Sequence, residues 1–167
     1  MKKETISPIS ILLHVLDEAY GRPAWHGPHL RGALKRVSTR QAGWRPAPGR
    51  HNIRELALHA AYWKDRVRRR LTGEKRGAFP FPGSNWFDLA EPTEKSWRRE
   101  RDLLDRMHEL LRAVVEGLPD DLLTRPLPAT RGRTALREIA GIALHDVYHT
   151  GQIQLLKALL LQKRARP

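Results

Sequence analysis

The sequence predicts an all-α protein, a four-helix bundle with crossover connections and one extra short helix. Apolar residues recur at steps of three and four through four long segments, the period of a helix with one buried face. No stretch of useful length alternates apolar with polar residues as a half-buried strand does. Connections of up to ~20 residues join the segments, long enough for at least one to cross the bundle instead of turning tightly.

Residues 6–20 open the bundle. Ile9, Leu12, Leu13, Leu16, Ala19 and Tyr20 make the apolar face, and Gly21 and Pro23 stop the helix. His14 falls on the polar flank, a surface position. Trp25-His26-Gly27-Pro28-His29 is a turn-rich link, and Pro28 suits the first position of a short helix over 28–37. Ser38 to Arg50 reads as a loop, with Trp44 folded back onto the core. Residues 51–72 form a strong helix on Ile53, Leu56, Ala60, Trp63, Val67 and Leu71. Asn52 is its cap, Glu55 complements the dipole in the first turn, and Thr72-Gly73 closes it. The 74–92 connection is unusually apolar, with Phe79, Phe81, Trp86 and Phe87. It is either a strap packed over the bundle or a wall of a pocket. Thr93 caps a helix from Glu94 to about Gly117 that carries Trp97, Leu104, Met107, Leu111, Val114 and Val115. A loop over Gly117 to Arg133 follows, and Thr134 caps the last helix, Ala135 to about Gln162.

The chain has 167 residues, which predicts one domain over 1–167 with a sizeable core. It contains no cysteine, which excludes disulfides, a thiolate metal site and a cysteine nucleophile, and suits a cytoplasmic protein. Ser7-Pro8-Ile9-Ser10 and His14 interrupt any leader-like apolar run, and no segment reaches the ~20 apolar residues of a membrane span. The net charge of +13 and pI of about 11.0 invite a nucleic-acid reading. The basic residues are scattered from Arg31 to Arg166 with no interleaved aromatic platform, so an arginine-rich solvated surface is the better reading and nucleic acid is not the expected partner.

The chemistry concentrates in the last helix. His145 and His149 are four apart and share a face with Ile142, Ile153, Leu156 and Leu160. His59 faces inward from the second long helix, three after Leu56 and four before Trp63. Three neutral imidazoles on two helices can define one side of a divalent-metal site with open positions. Hydrogen-bonded core-edge histidines are the alternative. Asp146, where a zincin needs glutamate, excludes that motif. It stands one residue off the histidine face, which suggests a role behind the ligands or a salt bridge on the helix surface. Paired Glu-x-x-His motifs of a ferritin-like di-iron site are absent. His108, between Leu104 and Leu111, is a rival ligand or a supporting residue, and more simply a core-edge histidine. His26 and Tyr148 are candidate pocket groups for which turn and packing roles are preferred.

Trp25-His26-Gly27-Pro28, the segment from Arg45-Pro46 through Gly49-Arg50-His51-Asn52-Ile53 to His59-Ala60-Ala61-Tyr62-Trp63, and His145-Asp146-Val147-Tyr148-His149-Thr150-Gly151-Gln152-Ile153 together resemble the DinB-like (DinB/YfiT) superfamily of bacterial metal-binding four-helix bundles. The resemblance covers nearly the whole chain. It implies His59, His145 and His149 as ligands, zinc or nickel as the metal with iron or manganese as others, and a homodimer. It also implies a small-molecule substrate and a metal-dependent enzyme that activates a low-molecular-weight thiol or water, as a thiol S-transferase or a hydrolase. A non-catalytic, metal-stabilised binding or stress-related module is the alternative, and a basic nucleic-acid-binding bundle ranks third.

Overall fold

The computed structural model describes residues 6–75, 77, 79–128 and 130–165. These form six α-helices and one 3-10 turn: α1 (Pro8–Tyr20), α2 (Leu30–Leu34), α3 (Thr39–Gly43), α4 (Ile53–Thr72), α5 (Glu94–Glu116), the 3-10 turn Asp120–Thr124, and α6 (Ala135–Ala165). Among the described residues there is no strand, only isolated bridges within loops. No described helix is long and apolar enough to cross a membrane.

The helix ends follow from side-chain chemistry. Asn52 accepts the Glu55 N–H while the Glu55 carboxylate accepts the Asn52 N–H, which satisfies two free donors at the start of α4. Thr93 and Ser96 do the same for α5. Gly73 stops α4 in the left-handed region, at φ 72°. Two starts differ from the sequence reading. Pro28 does not open α2. The His29 ring does the capping, its Nδ1 accepting the Gly32 N–H at 3.0 Å, so the helix begins two residues later. The Ser38–Arg50 loop also contains α3, held by a capping box between Ser38 and Gln41.

The four long helices close a ring in which α6 packs on α1 and α4, and α5 packs on α4 and α1. Helices α1 and α4 therefore lie across a diagonal, as do α5 and α6, and two connections cross the bundle, where the connection lengths in the sequence allowed for at least one. The core is layered. One apolar layer joins Leu34, Leu56, Ala60, Trp97, Leu104, Ile153 and Leu156. The other joins Leu16, Val67, Leu111, Val115, Ile139 and Ile142. Between them on α4, α5 and α6 fall Lys64, His108 and Asp146, a polar layer inside the bundle. Trp44 packs against the first layer as expected.

The 74–92 connection divides its labour. Phe79, Phe81 and Phe87 pack with Leu58 and Tyr62 as a strap over α4. Asn85 and Trp86 turn instead toward the histidines. Part of the basic charge is matched by acids: Arg45 pairs with Glu55, the buried Arg54 with Glu100, Arg68 and Arg69 with Asp65 and Glu74, Arg70 with Glu138, and Arg112 with Asp17.

Candidate metal centre

The helical period alone brings His145 and His149 to one face of α6, and the packing of α4 on α6 brings His59 to meet them. His145 Nε2 lies 3.0 Å from both His59 Nε2 and His149 Nε2. Two metal–nitrogen bonds of about 2.0–2.1 Å span up to ~4 Å, so each pair can share one cation. The three ligand atoms all lie within 4.8 Å of one another.

The hydrogen bonds on the far side of the His59 and His149 rings fix what those two present inward. His59 Nδ1 is 3.1 Å from the carbonyl oxygen of Asn85. That oxygen only accepts, so Nδ1 carries the proton and Nε2 presents a lone pair. His149 Nδ1 donates to Gln152 Oε1 at 2.6 Å, which bares its Nε2 in the same way. Gln152 is itself held by its amide, which donates to the Tyr148 hydroxyl at 3.1 Å. His145 Nδ1 is buried and has no partner among the described residues. One proton on His145 Nε2 can satisfy only one of the two lone pairs facing it, whereas a divalent cation satisfies all three nitrogens. The donor set fits a metal.

Electrostatics point the same way. Burial is the main cause that pulls His59 down to about 4, with smaller contributions from His149 and His51. Burial, then His149 and His59, pulls His145 down to about 3, and burial also lowers His149. All three are neutral imidazoles near pH 7, the form that binds metal.

The centre forms one side of a cavity of about 700 Å³. Leu56, Leu155, Leu156, Pro46 and Ala47 supply apolar walls, and Arg50 and His51 also line it. Trp86 is sandwiched between His51, at 3.5 Å, and His59, at 4.0 Å, with both rings nearly parallel to the indole. The position of Trp86 is set by Asn85, a non-glycine residue at φ 67° whose side-chain oxygen accepts the Trp63 indole N–H at 2.8 Å.

The remaining candidates are sorted by the fold. Tyr148 lines the cavity. His26 is exposed on its turn and does not reach it. His108 is buried but stands apart from the triad, stacked on Tyr20 at 3.8 Å and 3.4 Å from Lys64 Nζ, the place of a core-edge histidine outside the three-histidine group. Asp146 corrects the surface-salt-bridge expectation. It is 0% exposed and pairs with Lys64, also 0% exposed, across the α4–α6 contact. The sequence reading missed Lys64, Asn85, Arg50, His51 and Gln152 as site residues. Only Gln152 carried a local signal, standing three after His149 on the same face.

A model of the DinB superfamily matches residues 24–153, a span that holds all three convergent histidines. Comparisons with curated proteins and with solved structures gave no match. On a match over most of its length, the chain belongs to the DinB superfamily.

Proposed function

We propose that this protein is a divalent-metal-dependent enzyme acting on a small organic substrate, with His59, His145 and His149 as ligands. The observation that carries the reading is the convergence of three histidine Nε2 atoms, those of His59 and His149 bared by their outer hydrogen bonds, on an open, mainly apolar cavity. A bound metal would lower the pKa of a coordinated water or thiol and so supply a nucleophile near neutral pH. The chain has no cysteine, so a thiol must arrive as a low-molecular-weight cosubstrate. Asn85 and Gln152 hold the outer rings in the ligating tautomer. Leu155, Leu156 and Trp86 exclude water around the substrate's apolar part. Zinc or nickel suits three imidazoles, and iron and manganese are accommodated by the same donors.

The test is elemental analysis of protein purified without chelators, beside His59→Ala and His145→Ala. Near one equivalent of a divalent metal per chain, lost in both variants, supports the centre. Thiol-to-electrophile transfer or hydrolysis that disappears with chelator and in His149→Ala supports the activity. Metal binding that raises the melting temperature with no turnover across thiols, electrophiles and esters assigns the protein to the non-catalytic alternative. Failure to bind added zinc or nickel sinks the proposal.

A further inference from the structure

A second cavity, of about 520 Å³, lies where α2 and the end of α1 face α5, and it shares no lining residue with the metal cavity. Its walls carry three cations, Arg31, Lys35 and Arg101, and two acids, Asp102 and Asp105. Asp105 is already engaged. It accepts the Tyr20 hydroxyl at 2.5 Å and pairs with Arg31 Nε at 3.2 Å. Asp102 is exposed. Lys35 and Arg101 reach no carboxylate among the described residues, so two cations of this cavity are left without a counter-charge.

Arg101 is the more telling of the two. It is half-buried, and its Nε is enclosed with no hydrogen-bond partner among the described residues. Arg54, Arg68, Arg69, Arg70, Arg112 and Arg133, buried to a like degree or more, each reach a carboxylate. Leaving a charged donor enclosed and unpaired is costly, so its position needs a reason. The position is also a fixed one. The guanidinium lies 5.4 Å over the ring of Trp97, which is 1% exposed and donates its indole N–H to the Val37 carbonyl at 2.9 Å. The opposite wall is shaped as closely. A Cβ on Gly32 would stand 2.9 Å from the His29 ring, which its cap of α2 holds in place, so only glycine lets that ring line the cavity.

We propose that this cavity binds a small organic phosphate monoester, with Arg101 and Lys35 on the phosphate. Size and charge choose the ligand. A cavity of this volume holds a small organic molecule and is far larger than a lone ion needs. A phosphate monoester carries a charge of about −1.5 to −2 at pH 7, which two unpaired cations match, whereas a carboxylate carries half of that. The guanidinium fork takes two phosphate oxygens at once, and the lysine adds a point charge. Asp102 opposes the anion and sets the limit on its affinity.

The test is calorimetric titration of the metal-stripped full chain with phenyl phosphate and with glucose 6-phosphate, at about 0.15 M salt to screen the general positive field. Saturable binding of at least one ester, one per chain and with Kd below about 1 mM, is expected. Arg101→Gln should weaken it at least about tenfold and Lys35→Gln by about threefold or more, while Asp102→Asn should tighten it about twofold. Arg106→Gln removes the same charge from the exposed side of α5, outside the cavity, and should change Kd by less than about twofold. Circular dichroism checks that each variant folds. If Arg101→Gln does not, the opposite signs of the Lys35 and Asp102 effects still decide. No saturable binding of either ester up to about 10 mM overturns the proposal, as does an equal loss in Arg106→Gln. Inorganic phosphate bound as tightly as the esters would mean an adventitious ion only. Benzoate bound as tightly as phenyl phosphate would overturn the phosphate assignment. Oligothymidine without terminal phosphates should bind the parent and Arg101→Gln alike, and the same Arg101 dependence there would pass the site to nucleic acid. Binding is read without metal, so this proposal and the metal reading can fail separately.

Discussion

Asn85 and Gln152 carry no metal-binding atom toward the centre, yet each decides which nitrogen of a histidine is free to bind. Gln152→Ala leaves the His149 Nδ1 proton without an acceptor, and the ring can then turn or change tautomer. Loss of such a supporting bond typically costs 10–100-fold in metal affinity, and about that range is expected here. Competition with a coloured chelator reads it. Asn85 acts through its carbonyl and its left-handed backbone, so Asn85→Gly should bind metal better than Asn85→Val, which is strained at φ 67°. Equal affinities for those two variants would show that the backbone geometry at this position is unimportant. At this scale the sequence was half legible. Three histidines could be chosen because helical spacing is local information. The Asn85 carbonyl could not, since it reaches His59 across 26 residues of chain through a backbone atom that any residue type supplies.

Helices α4 and α6 meet through the Lys64–Asp146 pair, and each partner sits near a ligand on its own helix, Lys64 five after His59 and Asp146 next to His145. Burial pushes the Asp146 carboxyl up and the Lys64 amine down, and each charge opposes the shift of the other. Removing one partner leaves the other buried and alone, so Lys64→Met or Asp146→Leu should each cost about 3–5 kcal/mol. The double variant should recover most of that loss, because two apolar side chains of similar volume need no compensation. Urea melts of the four proteins decide it, and single variants as stable as the parent would contradict the pairing. From sequence Asp146 reads either as a residue behind the ligands or as one end of a salt bridge on the helix surface, and the spacing does not show that the bridge is buried. The partner of Asp146 lies 82 residues away, and no local pattern announces it. Elements with local signals fared better. The caps of α4 and α5 were visible as Asn52 with Glu55 and as Thr93. The five-residue α3 was hidden because its proline- and glycine-rich surroundings resemble a loop.

Across the whole molecule, buried neutral histidines tie stability to pH. His59 is held down to about 4, His145 to about 3 and His108 to about 2, in each case chiefly by burial. In the unfolded chain the same rings take up protons near 6.5. Between pH 6.5 and about 4 the unfolded state thus binds more protons than the native one, and stability falls as pH falls. Asp146, pushed upward, works in the opposite direction but is one group against four histidines, His149 being lowered by burial as well. Metal-stripped protein should melt at a lower temperature at pH 5 than at pH 7.5, and His108→Leu should flatten that slope. A melting temperature that rises on acidification would show that the rings are not held neutral. The bundle itself was legible at this scale because four amphipathic periods and their caps determine it. The ring order was not legible, since it depends on which faces match across diagonals.

That ring order also affects how the chain is made. Helix α1 packs on α6, which is synthesised last of the six, and His59 leaves the ribosome 86 residues ahead of His145. At 5–20 residues per second, the interval is roughly 4–17 s. During it α1 has no long-helix partner on that side, and a single imidazole stands where three will later converge. A metal held by all three histidines would therefore be captured only once α6 has been made, and until then α1 lacks its α6 contact.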